Sequence, residues 1–219
     1  PQVFDPKVGN SLLAPTLNLT HDELMTGDWA KGPAGTSETD WLFGNLGRID
    51  IMTGLLAESW TMPDSGTIIF NLRKGVYWGL DPNNEASRLV NGREFTAQDA
   101  AWNIKTEWAN KGGFLAGTNP ASDYLIDAQA VDKYTVKLTV PTAVQGLHLF
   151  LDGERLYMFP PEVTDKYGNQ SDWRKNVTVG PFMLTDFVSG SALTYKRNPK
   201  YYLTDPVGPG KGQQLPYAD

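Results

Sequence analysis

The chain of 219 residues contains no cysteine, which excludes a disulfide framework and any thiolate-held metal. Its two histidines, His21 and His148, are isolated, and neither belongs to an HxxxH or HExxH arrangement. No apolar run approaches the roughly 18 residues that a membrane span requires. No signal-peptide pattern opens the chain, so any export signal or lipid anchor is expected upstream of Pro1. Basic clusters are lacking as well: no run of Lys and Arg exceeds two residues, and 19 basic against 25 acidic residues leave a net charge of −6. A nucleic-acid partner therefore has no electrostatic footprint. GxSxG, P-loop and GxGxxG patterns do not occur, and no two acids are set apart as a glycosidase pair. The expectation is a non-enzymatic protein with no catalytic residues, no metal site and no cofactor.

What is present is ordinary for a globular protein: 40% hydrophobic and 20% charged residues, in a chain long enough to bury a sizeable core. Aromatic residues reach 11% and include seven Trp. Most of these fall within strand or helix patterns, so core packing is the default for them.

The most ordered signals lie between Leu56 and Ile104. In LAESWTM (56–62), Leu56, Trp60 and Met62 share a face at period two, with Glu58 in the same phase as a partly buried acid. In TIIFNLR (67–73), Ile68, Phe70 and Leu72 share a face. Between them, Pro63-Asp64-Ser65-Gly66 supplies a fixed φ, a side chain that can bond the backbone ahead, and a residue tolerant of positive φ. This is a hairpin pattern. Thr96 is a good N-cap with Asp99 three residues on, a spacing like a capping box. Ala97, Ala101, Ile104 and Trp108 then recur at helical spacing, and Gly112-Gly113 are expected to stop the helix.

Elsewhere the pattern is coarser. HDELMTGDW (21–29) reads as a short helix, and a capping or surface role is expected for His21. KGPAGTSETD (31–40) reads as a loop. Ile126, Ala128 and Ala130, then Tyr134, Val136, Leu138 and Val140, alternate around Asp132-Lys133 as a second hairpin. LHLFLDG (147–153) fits helix or strand. Pro161-Glu162-Val163 opens a short helix to about Tyr167, and 182–188 with 191–197 form a strand pair around Ser189-Gly190. The tail 204–216 is rich in Pro and Gly, like a connector. Asn-x-Ser/Thr triplets begin at Asn18, Asn169 and Asn176, and matter only in a host that glycosylates.

Taken in order, LAESWT, a turn, IFNLRKGVYW and FTAQDA with its helix resemble the family 5 extracellular solute-binding proteins, the dipeptide-, oligopeptide- and nickel-binding receptors of ABC importers. FDP (4–6) resembles the family's early LDP-like segment, and HDEL (21–24) resembles the helix after it. VGPF (179–182) resembles the GxGPY turn into a strand, and KRNPKYY (196–202) resembles the closing RNPxYW. The resemblance covers nearly the whole chain. There are departures: GLDPNNEASRLVNGREF (79–95) carries an insertion where the family has His-Asp-Gly, and only Asn91-Gly92 resembles that turn. An upstream Gly is lacking before Gly180-Pro181, and Tyr202 stands for a common Trp.

The resemblance implies an α/β (α+β) fold, a first-lobe fragment of the class II periplasmic-binding-protein type with a mixed sheet, hairpins and packed helices. Three parts are expected: an irregular segment 1–40, a first-lobe subdomain 41–203, and a connector 204–219 toward a second lobe. It implies an extracytoplasmic receptor, periplasmic or lipid-anchored at the cell surface, that captures di- or oligopeptides or other small solutes. The implied partners are that ligand and the ABC transporter permease subunits, with membrane association only through an upstream anchor. Two segments suit a ligand cleft. GGFLAGTNPASDY (112–124) bears Phe114 and Tyr124. DGERLYMF (152–159) bears Arg155, whose fork suits a carboxylate, and Tyr157. A surface Arg among packed aromatics is the plain alternative. A carbohydrate-binding or adhesion module, marked by coplanar exposed Trp residues, and a hydrolase fragment are the competing classes.

Overall fold

The computed structural model describes Phe4, Asp5, Lys7 and residues 17–33, 35–39, 49–110, 112, 127–142 and 156–218. The hairpin expected between Leu56 and Leu72 is formed by β3 (Ala57–Asp64) and β4 (Thr67–Leu72), with Trp60 opposite Phe70. The inward face of β4 follows the pattern: Ile68, Phe70 and Leu72 are buried. On β3 the alternation fails. A register shift between Ala57 and Ser59 puts both Leu56 and Ala57 in the core and leaves Glu58 exposed, not partly buried, because a bulge changes which side chains face inward. At the turn, Asp64 Oδ1 accepts the N–H of Gly66 at 2.8 Å. Gly66 does not use a positive φ. An added Cβ would lie 3.3 Å from the Val140 carbonyl oxygen, a tight approach.

The second hairpin is β5 (Asp127–Ala130) and β6 (Thr135–Thr139), with Ala128, Val136 and Leu138 turned inward. β4 and β6 pair, giving a four-stranded sheet in the order β3-β4-β6-β5. All its described ladders are antiparallel, which narrows the expected mixed sheet to an antiparallel one. The insertion forms helix α1 (Glu85–Val90), which the sequence reading did not foresee. Asn84 caps it by accepting from Ser87 N, and Asn91 ends it in the left-handed region at φ 54°.

Helix α2 (Ala97–Ala109) follows, with its box intact: Asp99 Oδ2 accepts the N–H of Thr96 at 2.9 Å. Asn110 is its C-cap, so the helix stops before Gly112. The stripe of Ala97, Ala101 and Ile104 is buried as α2 packs on β5 and β6. Pro161 starts α3 (Pro161–Tyr167), and Gly168 closes it at φ 81°.

The segment 21–29 is not a helix. Met25–Gly27 is strand β1, paired antiparallel with β2 (Met52–Gly54). Helical structure is confined to a 3-10 turn at Trp29–Lys31. The last strands, β7 (Phe182–Val188) and β8 (Ala192–Arg197), form the expected ribbon. The main core joins the four-stranded sheet to α2, while a second cluster collects Phe4, Leu17, Tyr157, Phe159 and Leu184. Among the described residues no helix is long and apolar enough to cross a membrane.

Candidate functional site

Distant sequence motifs meet at one backbone node. The N–H groups of Val179 and Gly180 donate to the Thr20 carbonyl at 3.1 and 3.0 Å. Thr178 Oγ1 donates to the same carbonyl and accepts from Gly180 N at 3.1 Å. Asn198 Nδ2 donates to the Gly180 carbonyl at 3.0 Å, and its backbone N–H to Pro181 O at 2.8 Å. A Cβ on Gly180 would lie 2.8 Å from the Thr20 carbonyl carbon, so only glycine fits. The segments 17–24, 177–182 and 196–202 are thereby bound into one unit.

The node drives residues 20–22 inward. His21 is 1% exposed, its Nδ1 lies 2.9 Å from Thr20 Oγ1, and its ring centroid is 4.3 Å from that of Phe159. Burial, helped by the Lys7 charge, pushes its pKa down to about 3, so the ring is neutral. The capping or surface role expected for His21 is thus corrected: the residue is interior. Beside it, the Asp22 carboxyl is also buried, and its Oδ2 accepts the Tyr202 hydroxyl at 2.8 Å. Burial raises its pKa to about 7 against the opposing bonds from Tyr202 and Tyr201. Burial and the neighbouring carboxylate in turn raise both phenols.

Lys7 completes the cluster. Its ammonium donates to Asn103 Oδ1 at 3.0 Å and lies 4.5 Å from the Phe159 ring centroid. Burial lowers its pKa, opposed by the charges of Asp5 and Glu107. Asn103 is fully buried on α2 and satisfied throughout: Nδ2 donates to Asp99 O and Phe159 O at 2.9 and 2.8 Å, while Oδ1 also accepts from Phe159 N at 3.0 Å. Asp5 Oδ2 accepts from Gln170 N at 3.0 Å. The N-terminal segment, α2 and the stretch 156–160 are therefore held by polar bonds as well as by packing.

Of the four candidate ligand residues, Phe114, Tyr124 and Arg155 lie outside the described residues, as does 147–153. Tyr157 is described and buried, 2% exposed in the second cluster, and its hydroxyl donates to Asn18 Oδ1. Its ring centroid sits 6.5 Å from that of His21. Sequence reasoning missed Lys7, Asp22 and Asn103. A signal existed for the last: Asn103 is in helical phase with Ala100 and Glu107, a polar side chain on a buried stripe. Chemically, the cluster offers a neutral His, a carboxyl shielded by tyrosines and a Lys bonded to an amide. Such groups tie Lys7 and Phe159 to α2.

Residues 52–219 match the family model described as bacterial extracellular solute-binding proteins, family 5 Middle. The chain is 27% identical over 165 residues to the oligopeptide-binding protein AliB of Streptococcus pneumoniae, an alignment covering 67% of this chain and 24% of AliB. The solved structure of Haemophilus influenzae OppA in complex with RPPGFSPFR is similar at TM-score 0.67 and 20% identity, covering 92% of this chain and 37% of that one. NikA from Brucella suis, solved with Fe(III)-EDTA, gives TM-score 0.65 at 21% identity, with 90% and 34% covered. The chain thus spans about a quarter of the length of the curated relatives it matches. With the family model covering most of the chain and the fold in agreement, this protein belongs to the family 5 bacterial extracellular solute-binding proteins.

Proposed function

We propose that this chain is part of an extracytoplasmic receptor of an ABC importer, which captures di- or oligopeptides and delivers them to the permease. The family match over 52–219 carries this reading. The names of the oligopeptide-binding relatives from Streptococcus support the choice of ligand. Binding is the whole activity; no chemical step is assigned. Within the receptor, 41–203 serves as first-lobe subdomain, between the segment 1–40 and the connector 204–219. Phe114, Tyr124, Arg155 and Tyr157 are the ligand contacts to test first. For Tyr157 this requires contact through the edge near Asn18, since its ring is packed.

The competing carbohydrate-binding reading asks for coplanar exposed Trp residues. Among the described residues Trp29 is the one strongly exposed Trp, at 60%, so no such platform is formed there. The deciding experiment purifies the full-length parent natively, denatures it and identifies the released ligand by mass spectrometry. Released peptides support the proposal. Glycans or a metal chelate would overturn the peptide assignment while leaving family membership intact. The 219-residue chain alone should fold yet bind peptides weakly, and submicromolar peptide binding by it would overturn the partial-receptor reading.

A further inference from the structure

The protein carries five methionines, and all five are among the described residues. Four are engaged by the fold. Met158 is 0% exposed and Met25 2%, both in the main core. Met52 of β2 packs against the same core. Met183 lies on β7 opposite Lys196, and its Sδ packs toward Gly79, 3.3 Å from where a Cβ on that glycine would stand. Met62 differs: it is 39% exposed.

Its place in the sheet explains the exposure. The period-two pattern of 56–62 sets Met62 inward with Leu56 and Trp60. Among the described strands, however, β3 pairs with β4 alone and forms an edge of the four-stranded sheet. The ladder is irregular between Thr61 and Asp64, the interval that holds Met62 and Pro63, so the alternation of faces does not carry through to Met62. Trp60 still packs on the main core, whereas Met62 stands at the surface.

Exposure of this kind decides which thioether a peroxide reaches first. The sulfur donates a lone pair to one peroxide oxygen; the S–O bond forms as the O–O bond breaks, and the second oxygen leaves as water with the proton of the first. Sulfur loses two electrons and the peroxide gains them. The product sulfoxide is polar. At Met25 or Met158 its oxygen would be buried among apolar side chains, a costly place for an unpartnered acceptor. At Met62 water reaches it. We propose that Met62 is the primary oxidation site of this protein, converted to the sulfoxide by hydrogen peroxide without loss of the fold and returned to the thioether by a thiol-dependent reductase. In the return step two thiols become a disulfide and the oxygen leaves as water.

Peptide-mapping mass spectrometry of the purified native protein during exposure to hydrogen peroxide tests it. Met62 should gain its oxygen about tenfold faster than Met25 or Met158, and ahead of Met52 and Met183. The singly oxidised protein should keep the melting temperature of the untreated one. Methionine sulfoxide reductases for both sulfoxide epimers, supplied with a dithiol, should remove the added oxygen from the folded protein. Met62→Leu should abolish the fastest phase and leave the slower ones; the map of the native protein needs no variant and stands even if this one fails to fold. First oxidation at another methionine, equal rates at all five, or a lower melting temperature after one oxygen on Met62 would overturn the proposal. Resistance of the folded sulfoxide to both reductases would overturn its reversible part.

Discussion

Asp22→Asn should leave stability rising with pH between about 5 and 6.5, where the two buried groups of the native protein cancel, and should remove the fall between about pH 6.5 and 7. In the folded chain the Asp22 carboxyl is buried and its pKa is raised to about 7 from an ordinary 3.8. Between those values the folded state holds a proton that the unfolded state has released. Stability linked to this group is therefore present at low pH and falls as pH rises toward 7. The two units between pH 5 and 7 correspond to about 2–3 kcal/mol, or a melting-temperature change on the order of 5–10 °C for a chain of this size. Asparagine keeps the shape and a carbonyl acceptor for the Tyr202 hydroxyl, so the buried geometry survives without a titrating group. His21 works in the opposite direction: its pKa is lowered to about 3 from 6.5, so its contribution is lost as pH falls through that interval. The neighbouring residues offset one another between about pH 4 and 6.5, and the Asp22 slope alone remains between about pH 6.5 and 7. Urea unfolding of native protein and variant at half-unit pH steps reads the difference directly. If the two curves ran parallel from pH 5 to 8, the Asp22 carboxyl would not be the titrating group and the reasoning would fail.

Arg93 bonds the Asp99 carboxylate through Nη1 and Nη2 at 2.8 and 2.6 Å and the Glu162 carboxylate through Nε and Nη2 at 2.6 and 2.7 Å, joining the start of α2 to α3. Arg93→Met should cost about 2 kcal/mol by chemical denaturation. Asp99 is only 4% exposed and would lose its charge partner, while the 36% exposure of Arg93 screens the rest. Thr96→Ala should cost about 1 kcal/mol and leave the fold unchanged by circular dichroism, because one member of the capping box is removed. Gly180→Ala should lower stability by about 2 kcal/mol or more, or prevent folding, because the methyl would overlap the Thr20 backbone. A melting temperature equal to that of the native protein would show that the node yields without cost.

Elements that depend on neighbours in sequence were legible; those that depend on distant partners were not. The β3–β4 and β5–β6 hairpins, the capping box of α2 and the Pro161 start of α3 each rest on turn or cap residues within a few positions. β1 was read as helix because MTG is too short for its own period to show, and its strand geometry comes from the distant β2, with Met25 paired to Gly54 and Gly27 to Met52 at the ends of the register. Glu58 was misplaced because a bulge cannot be seen in a period-two pattern. His21 was misplaced because the Thr20–Gly180 contact that buries it spans most of the chain.

The same distinction explains why ligand residues are harder to read than the family. VGPF, HDEL and RNPKYY are recognisable because they build the Thr20–Gly180–Asn198 node, where a methyl group too many cannot be accommodated. A backbone junction tolerates few sequences, so its residues persist as motifs in any chain that builds it. A binding loop is under a different constraint. It must end at fixed points of the scaffold, while its interior answers to the ligand. Asn103 bonds the backbone of Phe159 through both amide atoms and so ties the stretch 156–160 to α2. Asn103→Ala should therefore lower stability by about 2 kcal/mol by chemical denaturation, because the buried N–H and carbonyl of Phe159 lose their side-chain partner. Restoring the bonds with Asn103→Gln would fail, since one added methylene displaces the amide from a site where all its bonds are already used.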